Sequence, residues 1–495
     1  MKPANPRFRI LYAVWALLEC LGFGGLIYGW GSLVYILKDE GLYYDLCSSS
    51  NLSTETNSSV LLAATSNASS SSNASDENKG FQSHNNSCLE MDDRLSLVFT
   101  IGAAMFCVGC FLMGQVNYKF GTRISRIGAT ALFFVGSLMI AFTSNDVPWL
   151  IFPGLSLLGT GGITFLMTNM QISALFPKFG SFIVGLLCGG FDSSSGIQLM
   201  VKFGYENGIS RQTSYIILAC TNLLTLISTF LFLPKDFIQK PAVRNRRDAD
   251  IAGDLDAAVE LRDKRSDELT QQPEDKRTLL QCVLSSIYLL HVFWICVLQL
   301  RFYFLIGSLN KTLEILLHKN GDEVSHYTNV STIVLMLGII TSPFAGFVCD
   351  FQKQFFVNSK SPLRKVLMPT VIPLTLTTTL CIILSSLILF EEPTLLYAVY
   401  VCLLFFRSFM YTIGAGYISA LFPSSYFAIL YGILILAGGV VSMFQYVFFN
   451  WADSQGFFQV NLFLLFLMFS TYVHPIYQWW SCRQAENTIL LMDPI

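Results

Sequence analysis

The sequence predicts an all-α polytopic membrane protein of twelve transmembrane helices, arranged as two six-helix halves. Three observations carry this reading. Of 495 residues, 53% are hydrophobic and only 13% charged, about half the charged share of an ordinary soluble domain. The apolar residues gather into runs of about 20 or more, the length a helix needs to cross a bilayer. Finally, the hexapeptide ISALFP occurs twice in unbiased sequence, at Ile172–Pro177 and at Ile418–Pro423.

Taken in order, the twelve runs are 11–37, 95–115, 124–143, 148–172, 180–203, 212–233, 283–309, 327–349, 366–390, 394–420, 425–450 and 457–480. The first is too long for the apolar part of a secretory signal and has no small-residue cleavage site after it, so it reads as a signal anchor. Gly and Pro interrupt many runs, which spanning helices tolerate when neighbours cover the freed backbone groups.

Lys and Arg in the short loops set the orientation. Lys2, Arg7 and Arg9 precede the first run. Lys119, Arg123 and Arg126 follow the second, and Lys353, Lys360, Arg364 and Lys365 follow the eighth. All three groups fall on one side, which is therefore expected to be cytoplasmic, with both termini. The loop 38–94 is then external. It carries five N-x-S/T acceptors for N-glycosylation, at Asn51, Asn57, Asn67, Asn73 and Asn85, and Cys47 and Cys88 bracket them. In an oxidising compartment these two are expected to form a disulfide. The stretch 234–278 is polar and dense in both charges, and reads as a cytoplasmic linker between an N-terminal half, 1–233, and a C-terminal half, 279–495.

ISALFP closes the fourth run and again the tenth. Gly31-Ser32-Leu33 in the first run matches Gly307-Ser308-Leu309 in the seventh. Gly114-x-x-x-Tyr118-Lys119 at the end of the second matches Gly346-x-x-x-Asp350 at the end of the eighth. Two six-helix halves of like orientation, related by an axis along the membrane normal, are the arrangement of the major facilitator superfamily, where substrate binds between the halves. Its Gly-x-x-x-Asp-Arg/Lys element is incomplete in both copies, since Tyr118 replaces the acid in one and Phe351 the base in the other.

Ionisable residues inside a span are costly and usually face the bundle interior or a water-filled cavity. Glu19, Asp192, His291, Arg301 and Arg407 are such residues. Glu19, Arg301 and Arg407 lie on runs that line the cavity of a major-facilitator bundle. Asn169 and Gln171 lie there too, just before the first ISALFP. Asp192 with Ser193, Ser194 and Ser195 forms a dense donor–acceptor cluster at membrane depth, which close packing alone would not need. Phe23, Phe191 and Tyr303 lie beside these groups and are candidates to stack on a flat ligand. Against this stand plainer roles: Glu19 with Arg407 as an interior pair, Arg301 reaching toward the outer interface, and His291 as a satisfied interior residue. A nucleotide-binding G-x-x-x-x-G-K-[ST] motif is absent, which argues against direct ATP drive. No Cys/His metal spacing stands out, no cofactor is expected, and a net charge of −2 gives no basis for a nucleic-acid partner.

The stretches LLECLGFGGLIYGWGSLVYILKDEGLYYDLC, GGFDSSSG and QLRFYFLIGSLN resemble solute carrier family 43, and within it the equilibrative nucleobase transporter branch. The resemblance runs through nearly all twelve runs and fails in the two long loops. It implies a sodium-independent plasma-membrane uniporter that moves purine nucleobases such as adenine, guanine and hypoxanthine down their gradients. The residues read alone leave the substrate open. A purine would suit an aromatic wall with polar groups at its edges, whereas a large neutral amino acid would need an anion and a cation, such as Glu19 with Arg301 or Arg407. A membrane receptor or sensor that kept a carrier fold is the reading from another class.

Overall fold

A computed structural model describes residues 8–47, 89–238, 277–317, 321–357, 359 and 361–492. It is helical throughout these residues. The helices long and apolar enough to cross a membrane are α1 (Arg9–Asp39), α4 (Pro148–Leu175), α5 (Gly180–Glu206), α6 (Arg211–Phe232), α7 (Ser286–Leu316), α9 (Pro362–Ile388), α10 (Pro393–Leu421), α11 (Phe427–Gln455) and α12 (Phe457–Ala485). A pair bent by 46°, His326–Met336 and Gly338–Phe356, forms α8. The remaining helix, Leu89–Ala141, has 53 residues, more than twice what a bilayer crossing takes. It turns at Gly121, whose φ of 80° is open to glycine and strained for other residues. Gly121 thus divides α2 (89–120) from α3 (122–141), completing twelve spans whose ends lie within about seven residues of the predicted ones.

Where spans run past their apolar cores, capping explains the extra turns. Ser210 accepts from the Thr213 amide at the start of α6, and Ser285 accepts from Tyr288 at the start of α7.

The halves, α1–α6 and α7–α12, meet along two seams at the end that the Lys and Arg distribution assigns to the cytoplasm. On one, a Cβ at Gly346 would lie 2.1 Å from the Ser181 carbonyl oxygen, and one at Gly185 would lie 2.3 Å from that of Ser342. On the other, a Cβ at Gly114 would lie 2.6 Å from the Ala428 carbonyl oxygen. Only glycine allows backbones this close. Asp350 strengthens the first seam by accepting from the Ser181 and Phe182 amides at 3.2 and 2.8 Å, capping α5 from the other half, while Lys353 pairs with it at 2.7 Å. In the second seam Tyr118, standing where the acid would be, packs edge-on against Tyr426 at 5.7 Å.

The two ISALFP copies differ in conformation. The first begins within a 3₁₀ turn, Met170–Leu175, and leaves it at Phe176, whereas the second continues an α-helix to Leu421. Their phenylalanines do the same work. Phe176 carries the guanidinium of Arg9 at 5.6 Å, and Phe422 carries that of Arg277, also at 5.6 Å. Each arginine lies at or just ahead of the start of its half's first span.

Cys47 is disulfide-bonded. Cys88 and Asn51, Asn57, Asn67, Asn73 and Asn85 lie outside the described residues, as do 239–276 of the linker.

Candidate functional site

Two helices break where they meet. α1 loses its regular course at Gly24-Gly25, and α5 at Ser194. Ser194 joins the breaks: its Oγ accepts from the Gly25 amide at 2.5 Å and donates to the Phe191 carbonyl at 2.6 Å. The glycines are required by proximity, since a Cβ at Gly24 would lie 2.8 Å from the Phe191 ring. Discontinuous helices near the midplane are where carriers of this architecture build substrate sites.

Beside the breaks lies a cavity between the halves. Tyr28, Phe106, Phe191 and Asp192 line it from the first half, and Gln299, Tyr303, Arg407 and Tyr411 from the second. Arg407 Nη2 donates to Asp192 Oδ1 at 2.9 Å, with both side chains buried. The Arg407 guanidinium also lies 5.7 Å from the ring centres of Tyr28 and Phe302, a favourable place for a cation. Two buried polar atoms at the cavity have no hydrogen-bond partner, the donor Arg407 Nε and the acceptor Gln299 Oε1. Tyr28, Phe106 and Phe191 pack edge-on or tilted, with centroids 5.9 to 6.3 Å apart. The cavity measures about 20 Å³, room for about one water, so a ring-sized ligand requires the halves to part.

Of the residues singled out in the sequence, Phe191, Asp192, Tyr303 and Arg407 line this cavity; the others are placed elsewhere. Glu19 does not meet Arg407. It pairs with Arg126 at 2.7 Å inside the first half. Arg126 further donates to Asn169 at 2.7 Å, Thr168 at 3.1 Å, Ser228 at 2.7 Å and Thr229 at 2.9 Å. The Trp15 indole, the Asn169 amide and the Ser228 hydroxyl donate to Glu19. Every strong hydrogen-bonding direction of this pair is satisfied from α1, α3, α4 and α6, so Glu19 and Asn169 brace one half. Arg126 is fully buried and therefore contributes no exposed charge to the α2–α3 turn.

Gln171 bonds Thr122 at 2.9 Å and accepts from the Ile238 amide at 3.4 Å, fastening the start of the linker to the first half. Phe23 packs edge-on against Phe133 at 5.4 Å. Ser193 donates to the Met336 carbonyl across the halves at 2.7 Å, and Ser195 to the Asp192 carbonyl at 3.1 Å. The FDSSS serines thus shape backbone, while Phe191 and Asp192 of the same stretch line the cavity. His291 bonds the Gly414 carbonyl at 3.0 Å and His474 at 3.3 Å, and stacks on Tyr417 at 4.1 Å. Arg301 is fully buried and reaches neither the cavity lining nor the outer interface.

The sequence reading missed Tyr28, Gln299 and Tyr411. A signal for two of them was present: Gln299–Tyr303 and Arg407–Tyr411 are spaced four apart, so each pair shares a helix face. The Cys107-x-x-Cys110 spacing on α2 is helical, with both thiols free. Among the described residues no group of three or more His, Cys, Asp or Glu could hold a metal ion.

The family model described as Major Facilitator Superfamily matches residues 92–445. The chain is 30% identical to equilibrative nucleobase transporter 1 of Bos taurus over 97% of this chain and 98% of that one. It is 24% identical to large neutral amino acids transporter small subunit 3 of Homo sapiens, over 89% and 87%. Among solved structures, a proton:xylose symporter bound to 6-bromo-6-deoxy-D-glucose superposes with a TM-score of 0.55 at 13% identity, covering 96% of both chains.

Proposed function

Because the chain belongs to the Major Facilitator Superfamily and is a multi-pass membrane transporter, not an enzyme, we propose that it carries purine nucleobases such as adenine, guanine and hypoxanthine by sodium-independent facilitated transport. The place is the plasma membrane, with both termini cytoplasmic, 38–94 external and glycosylated, and a Cys47–Cys88 disulfide closing that loop. The two halves rock around the cavity between Asp192 and Arg407. The likeness to the bovine nucleobase transporter over nearly the whole chain supports the substrate class.

The observation that carries the reading is the state of the cavity's charges. Asp192 and Arg407 neutralise one another, while Arg407 Nε and Gln299 Oε1 are left as one donor and one acceptor among aromatic walls. A neutral planar ring with acceptors and N–H groups at its edge matches that set, since each buried orphan gains a partner. A zwitterionic amino acid would have to part the ion pair to reach it. Tyr28, Phe191, Tyr303 and Tyr411 supply the faces, and opening to either side follows ligand entry and closure of the opposite seam.

The test is uptake of radiolabelled adenine beside leucine in cells expressing the chain, with and without sodium. Saturable, sodium-independent adenine uptake that unlabelled guanine competes away is the expected result. Leucine uptake in its place would assign the carrier to large neutral amino acids. Flux of neither from protein at the surface would favour a receptor or sensor.

A further inference from the structure

Arg126, Arg211, Arg301 and Arg407 are buried. Three of them face a carboxylate: Arg126 pairs with Glu19 at 2.7 Å, Arg211 with Glu40 at 2.7 Å and Arg407 with Asp192 at 2.9 Å. Arg301 does not. Its side chain points from α7 into the second half, where Nε donates to Ser385 Oγ on α9 and Nη1 to Asn461 Oδ1 on α12, each at 2.9 Å. Nη2 has no hydrogen-bond partner. Among the described residues no carboxylate and no aromatic ring accompanies this guanidinium, and its titratable neighbour is the Cys381 thiol. Arginine keeps its proton in proteins, so a full positive charge stands at membrane depth beside neutral groups. Buried charges persist when they are paired.

The groups around Arg301 define the partner. In a planar guanidinium Nη2 shares one edge with Nε and the other with Nη1, so it points between Ser385 and Asn461. Ser385, having accepted from Nε, has one O–H to donate, which it shares with the neighbouring Cys381 thiol. Asn461, having accepted through Oδ1, keeps its amide N–H groups. The shell is therefore rich in donors, carries one positive charge and offers no anionic acceptor. Arg301 is fully buried and Asn461 nearly so, so a partner held beside them has to be a small ion.

We propose that Arg301, Ser385 and Asn461 hold a small monovalent anion of the halide class inside the second half, apart from the central cavity. The ion joins α7, α9 and α12. It also fixes the stretch of α7 whose Gln299 and Tyr303 line the cavity. The proposal is independent of what the cavity carries.

The experiment is thermal unfolding of the purified full chain in detergent after exhaustive dialysis, with sodium chloride exchanged for sodium gluconate at constant ionic strength. The melting temperature should fall without chloride and return saturably with chloride or bromide. Arg301→Gln should melt at one temperature in both salts. Should that variant fail to fold, Ser385→Ala keeps the charge and loses one donor, and its chloride midpoint should rise about tenfold, the weight of one hydrogen bond to a charged group. A wild-type melting temperature indifferent to halide, a dependence unchanged in Arg301→Gln, or a Ser385→Ala midpoint equal to wild type would each overturn the proposal. So would destabilisation by Cys381→Ser in a protein that ignores chloride, since a thiolate would then be the counter-charge.

Discussion

Arg407 and Asp192 lie 215 residues apart in the chain and 2.9 Å apart in space, one on each half of the transporter. Their ion pair crosses the plane along which the halves must separate, and it borders the cavity that the substrate is proposed to fill. Any motion that opens the cavity acts on this pair.

Asp192→Asn therefore removes the charge partner of a buried arginine. Breaking such a pair from one side costs about 3–5 kcal/mol. The expected outcome is a fall in adenine uptake of at least about tenfold per molecule at the surface, measured with surface biotinylation. Asp192→Asn combined with Arg407→Gln should melt higher than Asp192→Asn alone, because no charge is then left unpaired. Undiminished uptake by the single variant would place the substrate elsewhere.

Gln299 should separate affinity from stability. Its Oε1 is buried and unpartnered, so Gln299→Leu relieves an unsatisfied acceptor and should leave the melting temperature equal or raised. The same change deletes the hydrogen bond proposed to the ring, and KM for adenine should rise about tenfold. A lower melting temperature with unchanged KM would mean that Gln299 serves the fold and not the ligand.

Glu19→Gln should behave in the opposite way. The Glu19–Arg126 pair lies within one half and away from the cavity. Its loss should cost about 3–5 kcal/mol of stability and lower the amount of protein reaching the surface. The surviving molecules should keep a wild-type KM. A raised KM at normal surface amount would return Glu19 to the substrate site.

Asp350→Asn weakens the cap on the first turn of α5 and leaves Lys353 with the Ser181 hydroxyl but without its carboxylate. The seam at that end should open more often. Cys107, which lines the cavity, should then react faster with an impermeant thiol reagent applied to inside-out vesicles, relative to a Cys107→Ser control. An unchanged rate would show that glycine packing alone holds the seam.

The twelve spans were legible because membrane crossing imposes length and apolarity on each helix separately, and the repeat exposed the two halves. Asp192 and Arg407 were visible as costly residues at membrane depth. Which acid met which arginine was not, because pairing depends on helix rotation and on contacts between distant segments. Glu19 looked equivalent to Asp192 in sequence, yet it faces α3 and α6. Arg126 resembled a loop cation, being three residues from Arg123, and lies one helical turn inside α3. The serines after Asp192 suggested ligand chemistry because a hydroxyl that ties backbone and one that meets a ligand are the same letter.

The repeated peptide has a consequence for how the molecule could be assembled. Phe176 and Phe422 each secure the arginine at the entrance to their own half. Gln171 ties the first residues of the linker to the half they leave, and Arg277 ties its last described stretch to the half it enters. The covalent joint between the halves thus starts and stops at fastenings that belong to each piece alone. Cut within 239–276, the polypeptide would yield two fragments, each keeping its own clasp, and co-expressed fragments should find one another through the glycine seams and restore a working carrier.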